Sequence, residues 1–288
     1  MTPLRQKFIA ALSVRGFTSG TQRSYVRHVY YLAKHYHRSP EQLTPREVRE
    51  YLYSVVAEQR FGRSTLIISI NALRFFYRQI VGWDRADFQE NLPRPKKQHR
   101  LPRVYSEEEI QRLLQGEFPN PRHRVLLLTI YAAGLRVSEA CHLKVHDIDS
   151  QRMTLRVEQG KGAKDRYVPL SSRLLTELRT YWKLYRPPDW LFTQARDLHQ
   201  PISVAHAQKI YYDAVARAGL TLKGGIHTLR HSYATHLLES GVDLPTLQRL
   251  LGHASIQSTA IYLHLRQDHL QRVRSPLDLL ARPNSSQS

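Results

Sequence analysis

Cysteine is nearly absent: Cys141 is the single thiol in 288 residues. That excludes an intramolecular disulfide framework and every multi-cysteine metal site, and it makes a reducing, cytosolic setting the simplest reading. Long hydrophobic runs are missing too. No stretch approaches the roughly 18 to 20 apolar residues that span a bilayer, and Met1-Thr2-Pro3-Leu4-Arg5 leads into mixed polar sequence rather than an apolar signal core. Acidic side chains are scarce, with 24 Asp and Glu against 43 Lys and Arg. What is there, 41% hydrophobic and 23% charged residues, suits a folded, soluble chain of one large domain or two ordinary ones.

The net charge of +19 is a field strong enough to gather a polyanion. It is concentrated at one end: residues 1–103 carry 19 basic and 7 acidic side chains, and residues 104–288 carry 24 and 17. Solubility or an anionic membrane surface are the bland explanations. No lipidation signal or lysine-rich membrane helix accompanies the charge, which favours nucleic acid.

Residues 1–90 read as about four helices. Thr44-Pro45-Arg46-Glu47 is a capping box, with proline where no donor is needed. From Ser64 onward Leu66, Ile67, Ile70, Leu73, Phe76, Tyr77 and Ile80 recur at helical spacing until Gly82. Residues 91–103 form a linker stiffened by Pro93, Pro95 and Pro102 and made cationic by Lys96, Lys97, Arg100 and Arg103. It reads either as a solvated charge run or as a strap along DNA phosphates.

A second capping box, Ser106 to Glu109, opens the next helix. Val125 to Ala133 reads as a buried helix closed by Gly134. Met153–Val157 and Arg166–Leu170 alternate like two strands joined by a Gly160-Lys161-Gly162-Ala163-Lys164 hairpin. Helices are then expected over about 171–185, 203–218, 228–240, 244–251 and 256–263, and disorder from Arg282 to Ser288. The class is mainly α with one small antiparallel sheet.

His227-Thr228-Leu229-Arg230-His231 places His227 and Arg230 on one face of a helix start. Free backbone N–H groups there suit an anion. His227 and His231 also have the spacing of a zinc-binding helix, but Thr228 stands where that motif needs Glu, so no metal is assigned. Leu250-Leu251-Gly252-His253 follows, and Tyr262 comes nine residues after His253. Taken singly, each of these residues has an ordinary structural explanation. Arg136 could pair with Glu139 at a helix end, Lys161 could be a solvated hairpin lysine, and His253 could bond a helix end.

Together they do not read that way. Arg136 in Gly134-Leu135-Arg136-Val137-Ser138-Glu139, Lys161 in the Gly-Lys-Gly hairpin, His227 with Arg230, His253 after Leu-Gly, and the closing Tyr262 resemble, in order, the tyrosine recombinase (phage integrase) family. The resemblance is strongest over about 104–265, and the length matches the compact Xer-like members. It implies a helical, SAM-like core-binding domain (1–90), the linker (91–103), a mostly helical DNA breaking-rejoining domain (104–274) and a C-terminal tail (275–288). It also implies a site-specific recombinase that works through a 3′-phosphotyrosyl link without metal, ATP or other cofactor. Tyr262 would be the nucleophile. Arg136 and Arg230 would hold the phosphate, supported by Glu139, and Lys161 rather than Lys164 would be the acid for the 5′-oxygen. His227 would take or position the tyrosine proton, and His253 would donate to the phosphate. The partners implied are double-stranded recombination sites and further protomers, a dimer on each site and a tetramer in synapsis, alone or with a paired recombinase, in the cytoplasm on the nucleoid. In that family the terminal segment, here with Leu270, Val273, Leu277, Leu279 and Leu280, docks on a neighbouring protomer. Rival readings are a type IB topoisomerase, which shares the chemistry, and an inactive DNA-binding regulator.

Overall fold

The Thr44 side chain accepts from the backbone N–H of Glu47, whose carboxylate accepts in return from the Thr44 N–H at 2.8 Å. This closed box starts α3 (Pro45–Ala57), the third of four α-helices among the described residues of the first of two compact units, Met1–His99. The others are α1 (Pro3–Val14), α2 (Ser19–Tyr36) and α4 (Arg63–Phe76). After Phe76 the coil widens into one broader turn, in which Gly82 and Trp83 N–H both bond Tyr77 O, and Gly82 ends it at φ +89°. Phe8, Leu12, Leu32, Leu52, Leu73 and Phe76 interlock at the centre of this bundle. Burying each contributes about 1.5–3 kcal/mol.

This computed structural model describes residues 2–58, 60–84, 102–158 and 165–263. Lys96, Lys97 and Arg100 of the linker, Lys161 and Lys164 of the hairpin, and the tail with Leu270, Val273, Leu277, Leu279 and Leu280 lie outside them. Arg103, the remaining linker cation of the expected set, is exposed.

The second unit, Arg100–Ser288, begins with α5 (Glu107–Gln115), started by the expected box in which Ser106 and Glu109 cap each other. The next helix, α6 (Pro121–Ala132), buries every side chain from Val125 to Ile130 and packs on α8 (Ser172–Tyr185), α9 (Val204–Arg217) and α10 (His227–Glu239). Between α6 and α8 lie a short α7 (Val137–Cys141) and an antiparallel sheet. Its strands β2 (Thr154–Val157) and β3 (Arg166–Pro169) pair with Leu155 opposite Val168, and β1 (Ile148–Asp149) adds an edge on β2. That third strand was not expected, because two residues are too short to alternate. The last described elements of this unit are α11 (Leu244–Leu251) and α12 (Gln257–Ala260). Here α12 is one turn rather than the expected 256–263. Ile256 O accepts from both Thr259 and Ala260, and Tyr262 sits in the turn that follows. Among the described residues no helix is long and apolar enough to cross a membrane.

Candidate active site

Gly134 sets the geometry at Arg136. Its φ of +59° turns the chain back, and a Cβ there would stand 2.4 Å from the Tyr233 ring. Any other residue would clash as well as strain the backbone. The turn delivers Arg136 to the N-cap of α7, where Glu139 accepts from the Arg136 backbone N–H at 2.7 Å and from its Nη1 at 2.6 Å. Strand β3 supplies a second cation. Arg166 and Val168 point inward while Tyr167 is exposed, and Arg166 donates Nη1 and Nη2 to the two Glu139 oxygens at 2.9 and 2.8 Å. Arg230, from the first turn of α10, places Nη1 3.7 Å from the same carboxylate and is 4% exposed.

The C-terminus of α11 fixes the other side of these guanidiniums. Leu250 O accepts from Arg166 Nε at 2.8 Å, Leu251 O from Arg230 Nη2 at 2.5 Å and Gly252 O from Arg136 Nη2 at 3.1 Å. Arg230 Nη1 also donates to Gly134 O at 2.6 Å. These α11 carbonyls have no partner within the helix and lie at its negative end. One helix terminus thus orients three arginines, one carbonyl each. Three guanidiniums against the single Glu139 carboxylate leave two positive charges in the cluster, which suits it to an anion. A cleft of about 630 Å³ opens beside Arg136 and is also lined by Lys144 and Trp190.

Burial alone would raise the Glu139 carboxyl. The hydrogen bonds and charge of Arg166, with the donors of Arg136, outweigh it and hold the group at about 2. Burial, then the charge of Arg136, lowers Arg230 to about 10, which leaves it cationic at neutral pH.

Gly252 ends α11 in the left-handed conformation, φ +61°, and so delivers His253. The His253 Nδ1 lies 3.0 Å from Thr259 Oγ1. Burial and the charges of Arg230, Arg136 and Arg166 lower this imidazole to about 4, so it is neutral at pH 7. With Nδ1 taken by the Thr259 hydroxyl as donor, a neutral ring carries its proton on Nε2.

Two sequence expectations need correction at α10. Two of its first N–H groups are taken within the chain rather than free for an anion. A tight turn through Gly224 and Gly225 leads into the helix, and Thr228 N–H bonds Gly225 O while Leu229 N–H bonds Ile226 O. The second concerns the tyrosine. Tyr262 is 1% exposed, packed with Tyr233, Ala234, Leu238, Leu247 and Leu251. Its hydroxyl lies 2.8 Å from Nδ1 of His231, not of His227. His227 begins the helix one turn earlier and is exposed, and what burial it has, with Arg230 and Arg136 next, lowers its pKa. Burial also raises the Tyr262 phenol, against the opposing pull of Arg230 and Arg136.

Arg166 and His231 were therefore missed as site residues. For Arg166 a signal existed: it shares the inward phase of β3 with Val168, where a charge needs a buried partner. For His231 there was only its place after Arg230.

The depressed histidines give this unit a pH-dependent stability. His231, lowered by burial and then by His227 and Arg230, and His253 both titrate at about 4 in the fold, against about 6.5 for a free imidazole. Between those values the unfolded chain binds more protons, so stability is full above pH 6.5 and falls as pH drops toward 4. Each histidine contributes at most about 1.4 kcal/mol per pH unit across that window. Thermal unfolding should drop between pH 7 and 5, and the drop should shrink in the His231→Gln/His253→Gln double variant. An equal drop in both proteins would contradict this assignment.

Comparison with known proteins gives one consistent result. The profile of the phage integrase family matches residues 103–269, and that of the phage integrase N-terminal SAM-like domain matches residues 4–86. A Sinorhizobium fredii protein named as an integrase/recombinase is 44% identical over 98% of this chain and 91% of its own length. Tyrosine recombinase XerA of Thermococcus onnurineus is 33% identical over 96% of this chain and 95% of its own. Among solved structures, the XerH site-specific recombinase bound to palindromic difH substrate superposes with a TM-score of 0.72 at 24% identity, covering 94% of this chain and 84% of XerH. At that identity the likeness carries the fold.

Proposed function

This chain belongs to the phage integrase family of tyrosine recombinases, and on that premise we propose that it cuts and rejoins double-stranded DNA at specific sites with Tyr262 as the nucleophile. The observation that carries the reading is the arginine cluster. Arg136 and Arg230 are held by α11 carbonyls and by Glu139, in the company of a phenol that feels their charge.

The chemistry follows from those groups. A scissile phosphate settling on the cluster presents its non-bridging oxygens to Arg136 and Arg230, whose planar forks match them. His227 and the Nε2–H of His253 donate to the same phosphate. The Tyr262 oxygen gives up its proton to a neighbouring base as it bonds to phosphorus, and the bond to the 5′-oxygen breaks with Lys161 supplying the proton. A 3′-phosphotyrosyl link and a 5′-hydroxyl result. Attack by a 5′-hydroxyl of the partner strand reverses these steps and completes exchange. Tyr262 is buried, so its oxygen must be uncovered for the phenol to meet phosphorus. Linker residues Lys96, Lys97, Arg100 and Arg103 track phosphates between a core-binding domain over 1–90 and a catalytic domain over 104–274.

Relatives of this fold have been seen on DNA as the reading requires: XerH in a post-cleavage complex and lambda integrase as a tetramer on a Holliday junction. By the same reasoning two protomers of this chain occupy a site and four form the synapse. Incubation with paired sites should yield recombinant junctions, read by sequencing. Relaxed topoisomers without junctions would point to a type IB topoisomerase instead, and no covalent protein–DNA adduct at all would point to a regulator.

Lys161 is tested through its leaving group. A 5′-bridging sulfur departs as thiolate and needs no acid. Lys161→Ala should slow cleavage of the normal duplex about 100-fold or more and cut the sulfur duplex at nearly the wild-type rate. Rescue of Lys164→Ala rather than Lys161→Ala would move the assignment to the second hairpin lysine.

A further inference from the structure

The nucleophile assigned above has a partner that the arginine cluster does not explain. Tyr262 leaves the turn after α12 and meets His231, one residue past Arg230 on α10, with 2.8 Å between its hydroxyl and Nδ1. The two rings lie 5.7 Å apart, centre to centre. We propose that His231 is the proton acceptor of the reaction: its Nδ1 takes the Tyr262 hydrogen as the phenol attacks and returns it on rejoining. This inference rests on Tyr262 being the nucleophile.

The step balances. The Tyr262 O–H bond breaks as the oxygen–phosphorus bond forms, and the proton passes to His231 Nδ1. The phosphorus–5′-oxygen bond breaks, with its electron pair and the Lys161 proton going to the departing oxygen. On rejoining, the incoming 5′-hydroxyl returns its proton toward Lys161, and the leaving phenolate recovers its own from His231.

The surroundings of His231 favour the neutral ring that such an acceptor must be. Its charged and titratable neighbours are His227 and Arg230 on its own helix, His253 beyond α11, and Tyr262 itself. Burial and the positive charge of Arg230 hold the imidazole at about 4, so at pH 7 it is neutral and has one lone pair to offer. With the proton on Nε2, that lone pair is on Nδ1 and the phenol is the donor. Arg136 and Arg230 meanwhile favour a developing phenolate over the neutral phenol. His227 is exposed at the helix start, and the Tyr262 hydroxyl meets His231 rather than it.

The experiment uses the full-length protein and a nicked suicide duplex, with covalent adduct formation followed in single turnover from pH 6 to 9. Tyr262→Phe serves as the control for the underlying reading. Wild type should be flat across this range, because its acceptor is already neutral. His231→Ala should be slower by about 100-fold at pH 7, the low end of general-base contributions. Its rate should climb about tenfold per pH unit, because phenolate must then form without help. His231→Gln, which can accept a hydrogen bond but not a proton, should behave like His231→Ala while retaining duplex affinity and thermal stability. A fluorinated, more acidic tyrosine at position 262 should restore most of the rate to both variants at pH 7, which no repair of packing would do. A variant that cleaves at the wild-type rate, or faster, would overturn the proposal; the faster result would make the hydrogen bond a latch on the resting tyrosine. Slower cleavage with a wild-type pH profile and no rescue by the acidic tyrosine would also overturn it. Adduct surviving in Tyr262→Phe would instead overturn the reading beneath it.

Discussion

Arg230→Ala should lower the rate of DNA cleavage by about 100-fold or more while leaving duplex affinity within a few-fold of wild type. The scale is that of one preorganised donor removed from a charge that develops in the transition state. Affinity is spared because many other cations of this +19 chain share the phosphate backbone. Arg230→Lys should recover little. A lysine cannot bond Gly134 O and Leu251 O at once and still face a phosphate with a planar fork. Because Arg230 is 4% exposed and donates to Gly134 O and Leu251 O, the alanine variant also leaves those two carbonyls without their donors. That costs about 1–3 kcal/mol for each. The rate is therefore to be compared at a temperature where both proteins are folded, with thermal unfolding measured alongside. Cleavage by folded Arg230→Ala at near the wild-type rate would place the phosphate away from this cluster.

What could be read from the sequence was what short-range chemistry encodes. The boxes at Thr44 and Ser106 join residues three apart, and both helices start where those boxes put them. Gly134 and Gly252 take left-handed conformations just past their helices, the position where a glycine without a Cβ is the expected stop. Arg136, Arg230, His253 and Tyr262 were legible as an ordered set, though not as a shape.

The shape depends on contacts between distant segments, which spacing does not report. Glu139 and Arg166 are 27 positions apart, and Arg166 reaches Glu139 only because the register of β2 and β3 turns it inward. The α11 carbonyls that hold all three arginines are backbone atoms, which any residue would offer, so no side chain advertises them. Tyr262 and His231 are 31 positions apart and meet because α12 stops after one turn. The start of α10 misled for a related reason. Helix-end N–H groups are free only if the preceding turn leaves them so, and Gly225 O and Ile226 O do not.

Tyr262→Phe should abolish the covalent protein–DNA adduct altogether. The ring remains to pack with Leu238, Leu247 and Leu251, so the variant should fold and should bind its duplex as wild type does. Only the oxygen that bonds phosphorus is lost, and covalent catalysis has no substitute for it. Loss of the hydrogen bond to His231 Nδ1 costs about 1 kcal/mol of stability, too little to unfold the unit. The direct measurement is a nicked suicide duplex, from which the strand beyond the cut diffuses away and traps the protein on DNA. After denaturation and proteolysis, the DNA-linked peptide is identified by mass. Wild type should give one adduct, on the peptide carrying Tyr262, and Tyr262→Phe none. An adduct on any other residue, or one that persists in Tyr262→Phe, would contradict the assignment of Tyr262 as the nucleophile.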